Sequence, residues 1–163
     1  MIVRRTHPAE ILEICGRLRQ SDHDELLATS FFDDVVLQGE LIASGLERAV
    51  LAYTFCGDDG RPIAFVGGWL IAPGVATASM FATDELATIG RPAFLFCRDR
   101  LFRDAVPRAF RRVECRALAS NTVARAWMKR LGFAEEGLCR ALGKGGEDFV
   151  SCAWVHPSHP KEA

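Results

Sequence analysis

The sequence predicts one α+β domain over residues 1–156, with a central twisted mixed sheet of six to seven strands flanked by about four helices. Three observations carry that prediction. Two apolar runs, Ala49–Cys56 and Ile63–Ile71, are joined by Asp58-Asp59-Gly60-Arg61-Pro62, and Asp-Gly accepts the positive φ that a tight hairpin needs. Ile11, Leu12, Ile14, Cys15 and Leu18 recur at helical spacing, as do Phe94, Leu95, Cys97, Leu101, Phe102 and Ala105. Arg112–Leu118 alternates charged and apolar residues, the period of a half-exposed strand. A hairpin-rich sheet crossed by single helices is a mixed sheet rather than a doubly wound one.

The elements follow in order. Ile2–Thr6 reads as a first strand, stopped by His7-Pro8, and Pro8 suits the first turn of a helix. Ser21-Asp22 with Glu25 has the spacing of a capping box and predicts a second helix over Asp22–Thr29. Asp33–Ser44, closing at Gly45, reads as a third short helix or a continuation of the second. Gly67-Gly68 within the Ile63–Ile71 strand marks a bulge or a close approach. Pro73-Gly74 turns the chain into Val75–Thr83, a strand of small and β-branched residues, and Asp84–Gly90 is expected to link it to a helix with Pro92 in its first turn. Asn121 caps a helix that Gly132 ends. Phe133–Leu142 and Asp148–Val155 are the last two strands, and the tail 157–163 is expected to fray.

Composition excludes several classes. Twenty basic residues face 21 acidic ones, so no net field favours nucleic acid or an anionic membrane. The Arg98–Arg112 cluster is interrupted by Asp99 and Asp104 and reads as a solvated face. No apolar run approaches the roughly 20 residues that span a bilayer, and no signal-peptide pattern follows Met1, so a cytoplasmic protein is expected. The six cysteines are scattered, without Cys-x-x-Cys or a Cys/His knuckle; they read as reduced, buried thiols, and no metal site is expected. His7, His23, His156 and His159 lie in turns or the tail and carry no expected role.

The stretch from Arg116 through Ser120-Asn121, Trp127 and Leu131-Gly132-Phe133 resembles the C-terminal half of the GNAT-superfamily acetyltransferases, and the element order matches that family along the whole chain. Three further pieces make the chain similar to the small GNAT-like proteins of tailed phages, among them an internal-virion or assembly family. They are Ser79–Leu86 with Arg91–Leu95, Trp127–Phe133, and Gly143 through Glu147–Val150.

The resemblance implies acetyl-CoA as cofactor and an amine, on a small molecule or a protein, as acceptor. It implies Asp84 or Glu85 as general base. It places main-chain groups of Met80, Phe81, Ala82 and Thr83 along the acyl group, and Thr88, Gly90, Arg91 and Asn121 at the cofactor. The alternative for Arg91, Asp84 and Glu85 is a solvated surface charge or turn cap. The chain departs from the family in two places. Glu85–Pro92 has one glycine where the family's phosphate loop has two, and Pro92 removes an amide donor. The position where many members carry a proton-donating tyrosine is Met128. The sequence therefore leaves two functions open: an acyl-CoA-dependent N-acetyltransferase of the cytoplasm, or a catalytically silent binding module that meets phage structural proteins in the host cytoplasm or the virion.

Overall fold

A computed structural model describes residues 1–158. His159 and most of the expected frayed tail lie outside the described residues. Seven strands, β1 (Ile2–Arg5), β2 (Ala49–Cys56), β3 (Pro62–Ala72), β4 (Val75–Ala82), β5 (Arg112–Leu118), β6 (Ala134–Cys139) and β7 (Phe149–Val155), form one mixed sheet in the order β1-β2-β3-β4-β5-β7-β6. The helices are α1 (Pro8–Cys15), α2 (Gln20–Ala28), α3 (Val35–Ser44), α4 (Leu86–Phe96), α5 (Val106–Ala109) and α6 (Thr122–Arg130). The mixed α/β class and the element order are as the sequence predicts.

The chain packs as two compact units, Met1–Trp69 with Ser79–Ala93, and Leu70–Ala78 with Phe94 onward. In the first, β1 and β2 pair antiparallel, as do β2 and β3. Ile11, Ile14, Cys15, Ala52, Phe65 and Phe81 form its core cluster, with the Phe65 and Phe81 rings 5.0 Å apart. His7 caps α1: its ring accepts the Ala9 N–H, and the Glu10 carboxylate accepts the His7 N–H in return. Gly67 is a close approach, because a Cβ there would lie 2.4 Å from the Phe65 ring, and the β2–β3 register shifts beside Gly68, where Ala49 pairs with Trp69 and Leu51 with Gly68.

In the second unit β4 pairs parallel with β5 over Val75–Thr77, and β5 and β6 both pair antiparallel with β7. Phe94 meets Trp127 edge-on at 5.3 Å, and Phe102 packs on Phe133 and Trp154. Asn121 caps α6 by accepting the Ala124 N–H, and Gly132 ends it at φ +94°, a left-handed conformation that glycine adopts without strain.

Three local expectations are corrected. The Ser21–Glu25 capping box does not form; α2 starts at Gln20, and the Asp22 carboxylate turns to a partner far along the chain. The segment 84–90 is not a linker. Main-chain bonds from Leu86 to Thr83 and from Thr88 to Glu85 start α4 at Leu86, so Pro92 sits inside the helix and not in its first turn. Beyond α4 the helical run widens to π geometry over Cys97–Ala105, with the Val106 N–H reaching back to Leu101, before α5 resumes.

Candidate functional site

β4 delivers the candidate residues of the first unit to one corner, where the strand gives way to α4. The Thr83 N–H donates to Ile63 on β3. Alternation along a strand then turns the N–H and C=O of Ala82 to the opposite edge. There the α1–α2 connection closes on it: the Arg19 N–H donates to the Ala82 carbonyl at 3.0 Å, and the Asp22 carboxylate accepts the Ala82 N–H at 2.8 Å. Leu18 bridges Thr83 antiparallel. Asp22 is only 6% exposed and is also held by the Arg19 guanidinium at 2.7 Å and the Ser21 hydroxyl. Its charge is thus paired and hydrogen-bonded, as a buried carboxylate must be.

The two adjacent carboxylates beyond Thr83 have different surroundings. Glu85 is bound by two guanidinium groups, Arg17 at 3.2 Å and Arg61 at 3.5 Å, and Arg17 is further held by Glu13 and the Pro62 carbonyl. Asp84 is exposed and has no side-chain partner among the described residues. Thr83 is 2% exposed, and its hydroxyl is one of two buried polar side-chain atoms without a partner among the described residues; the other is Arg17 Nε.

On α4 the Thr88 hydroxyl donates to the Glu85 carbonyl, and the amides of Leu86, Ala87 and Thr88 are spent on the turn that starts the helix. They do not form the open ring of donors expected of a phosphate loop. Gly90 is open, since a Cβ there would meet nothing within 4 Å. Arg91 is exposed and has no ion-pair partner among the described residues.

The fold thus collects Met80, Phe81, Ala82, Thr83, Asp84, Glu85, Thr88, Gly90 and Arg91 on consecutive turns of one strand–helix corner. Asn121 belongs to the second unit, where its side-chain oxygen is engaged in capping α6. Met128 lies on that helix with its sulfur 2.9 Å from Cys115 Sγ. Tyr53 carries the Arg5 guanidinium over its ring at 4.9 Å. Asp22, Arg17 and Arg61 were not legible as site residues. The one signal for Asp22, its place in a capping pattern, pointed to a local role.

A polar ligand fits this corner in part. The orphaned Thr83 hydroxyl, the unpaired Asp84 and the unpaired Arg91 are groups that a ligand would satisfy. The Ala82 N–H is already taken. Among the described residues no group of three or more His, Cys, Asp or Glu side chains could hold a metal, and no helix is long and apolar enough to cross a membrane.

The chain has the GNAT acetyltransferase fold. It is similar to a GNAT-superfamily phosphinothricin acetyltransferase from Sinorhizobium meliloti, solved in complex with AcCoA, with a TM-score of 0.72 and 14% identity over 99% of this chain and 94% of that one. A ribosomal-protein-alanine N-acetyltransferase from Brucella melitensis matches with a TM-score of 0.71 and 14% identity, over 95% and 99% of the two chains. An N-acetyltransferase from Staphylococcus aureus matches with a TM-score of 0.71 and 14% identity, over 94% and 97%. No family model matches the sequence, and no curated protein matches it significantly.

Proposed function

We propose that the protein is an N-acyltransferase that takes its acyl group from acyl-CoA and passes it to an amine. The observation that carries this is the β4–α4 corner of a GNAT fold, where the Thr83 hydroxyl and the exposed Asp84 carboxylate stand side by side without a side-chain partner among the described residues. Acyl-CoA, when bound, would supply the thioester carbon that the amine attacks.

This chain's own residues would position the reactants and move one proton. Asp84 is better suited than Glu85 to accept the proton of the incoming ammonium, because two guanidinium groups already hold Glu85. Arg91 and Thr88 would hold the cofactor's phosphates by charge and hydroxyl rather than by a nest of backbone amides, and Gly90 leaves room beside them. Met80 and Phe81 would line the acyl chain. Met128 cannot donate a proton, so the leaving thiolate would take its proton from water.

The test is a titration with acetyl-CoA followed by melting temperature. Saturation at a hundred times the dissociation constant stabilises a protein by about 2.7 kcal/mol. Arg91→Ala should weaken that effect, and Asp84→Asn should abolish turnover while leaving the shift intact. No shift at millimolar acetyl-CoA would remove the acyltransferase reading.

A second reading, a catalytically silent GNAT-fold binding module, draws on the amides spent inside α4 and on the Asp22 carboxylate seated on β4. Its association with tailed-phage virion proteins rests on sequence likeness alone.

A further inference from the structure

α3 has apolar residues on both of its sides. Its inner face packs tightly: a Cβ at Gly39 would lie 2.8 Å from Cys15 Sγ, and Ile42 and Ala43 pack against the core cluster of the first unit. Its outer face carries Val36, Leu37 and Leu41, all exposed, Leu41 by 52%. Just before the helix, Phe32 is exposed and Phe31 is 100% exposed. Leu37, Leu41 and Phe31, large apolar side chains exposed together on one helix and its lead-in, mark an interaction surface.

Charge says what covers it. Residues 20–47 hold no Lys or Arg and six acidic residues besides the buried, Arg19-paired Asp22, whereas the rest of the chain holds 20 basic residues against 14 acidic ones. Glu40 stands on the outer face of α3 between Leu37 and Leu41. A second copy of this chain docking through the same face would set the two acidic segments against each other, as a two-fold contact requires. An anionic lipid surface would be repelled in the same way. A cationic partner with its own apolar stripe meets both properties at once.

We propose that the outer face of α3, with Phe31 and Phe32, docks a basic amphipathic helical segment of a partner protein. The partner's Leu- or Phe-type side chains at i, i+3 and i+4 would cover Leu37, Leu41 and Phe31, while its Lys or Arg residues flank them opposite Glu40. The surface stands whether or not the β4–α4 corner transfers an acyl group.

The experiment measures fluorescence anisotropy of a labelled 18-residue Leu/Lys amphipathic peptide against the full chain. Two control peptides replace every Lys by Glu or every Leu by Ser. The Leu/Lys peptide should bind and weaken with added salt, and both controls should bind at least tenfold more weakly. Leu37→Ser with Leu41→Ser should cost at least tenfold in affinity with the melting temperature and circular dichroism unchanged, since both side chains are exposed. Glu40→Lys should weaken binding and flatten the salt dependence. Undiminished binding to the Leu37→Ser, Leu41→Ser variant, or equal binding of the Ser control, would overturn the proposal. So would sedimentation showing that the wild-type chain self-associates and that the same double variant is monomeric, or binding to anionic vesicles that this variant loses.

Discussion

The Asp22 carboxylate accepts the main-chain N–H of Ala82 at 2.8 Å across sixty residues of sequence. That bond fastens the start of α2 to the end of β4, and it fills the donor that a ligand lying along this edge would meet first. Asp22→Ala leaves the Ala82 N–H buried without an acceptor and strips Arg19 of its partner, so unfolding by urea should show a loss of about 1–3 kcal/mol. Asp22→Asn keeps an acceptor in place and should cost less. If acyl-CoA uses the Ala82 N–H, Asp22→Ala will also bind acetyl-CoA more tightly than wild type by calorimetry; equal affinity would make the contact purely structural.

Glu10 joins four parts of the first unit. Burial pushes its carboxyl pKa up, but the His7 N–H, the Thr54 hydroxyl and the Arg4 guanidinium outweigh that and hold it below the ordinary carboxylate value. A group with a depressed folded pKa contributes stability that is present above its unfolded value, about 4.3, and is lost as pH falls through the folded value. Glu10→Gln should therefore be less stable than wild type at pH 7. The gap should close on acidification below about pH 4. Paired urea melts at neutral and acidic pH read it directly.

Gly67 has no room for a methyl group. Its Cβ would meet the Phe65 ring at 2.4 and 2.9 Å and the Trp69 ring at 3.0 Å, and Phe65 is fully buried in the core. Gly67→Ala should destabilise by about 1–3 kcal/mol through overpacking. Gly90→Ala, which meets nothing within 4 Å, should be neutral or slightly stabilising, since glycine is the weaker helix former. Thermal melts of the two variants make the comparison.

The cysteines should divide by burial. Cys15 and Cys97 are buried, and burial pushes both thiols up to about 12, so they should resist alkylation until the protein unfolds. Cys56 and Cys152 are also buried and raised by the same cause. Cys115 and Cys139 are partly exposed and should label first under iodoacetamide, with peptide mapping to assign the sites. Early labelling of Cys15 or Cys97 would show that α1 or the π-helical segment opens readily.

Much of the fold was legible because its signals are local. The Asp-Gly hairpin, the His7-Pro8 and Asn121 helix starts and the Gly132 stop each depend on neighbours a few residues away, and each formed as the sequence implies. The start of α4 was misplaced because Pro92 favours a first turn, and the main-chain bonds from Leu86 and Thr88 outweighed that preference. The candidate residues from Met80 to Arg91 are contiguous in sequence, but the guanidinium groups that separate Glu85 from Asp84 come from Arg17 and Arg61, beyond the reach of any local pattern.

By itself, then, the sequence determined the mixed α/β class and the order of strands and helices. Only the tertiary structure decided what the segment from Met80 to Arg91 can do. Arg17 and Arg61 reach Glu85 from 68 and 24 residues away, Asp22 reaches Ala82 from sixty, and the Thr83 hydroxyl is buried without a partner among the described residues. Periodicity and turn chemistry report on contacts within one or two turns of the chain. The pairing of a charge or an amide is settled by whichever group the folded chain brings within hydrogen-bond distance.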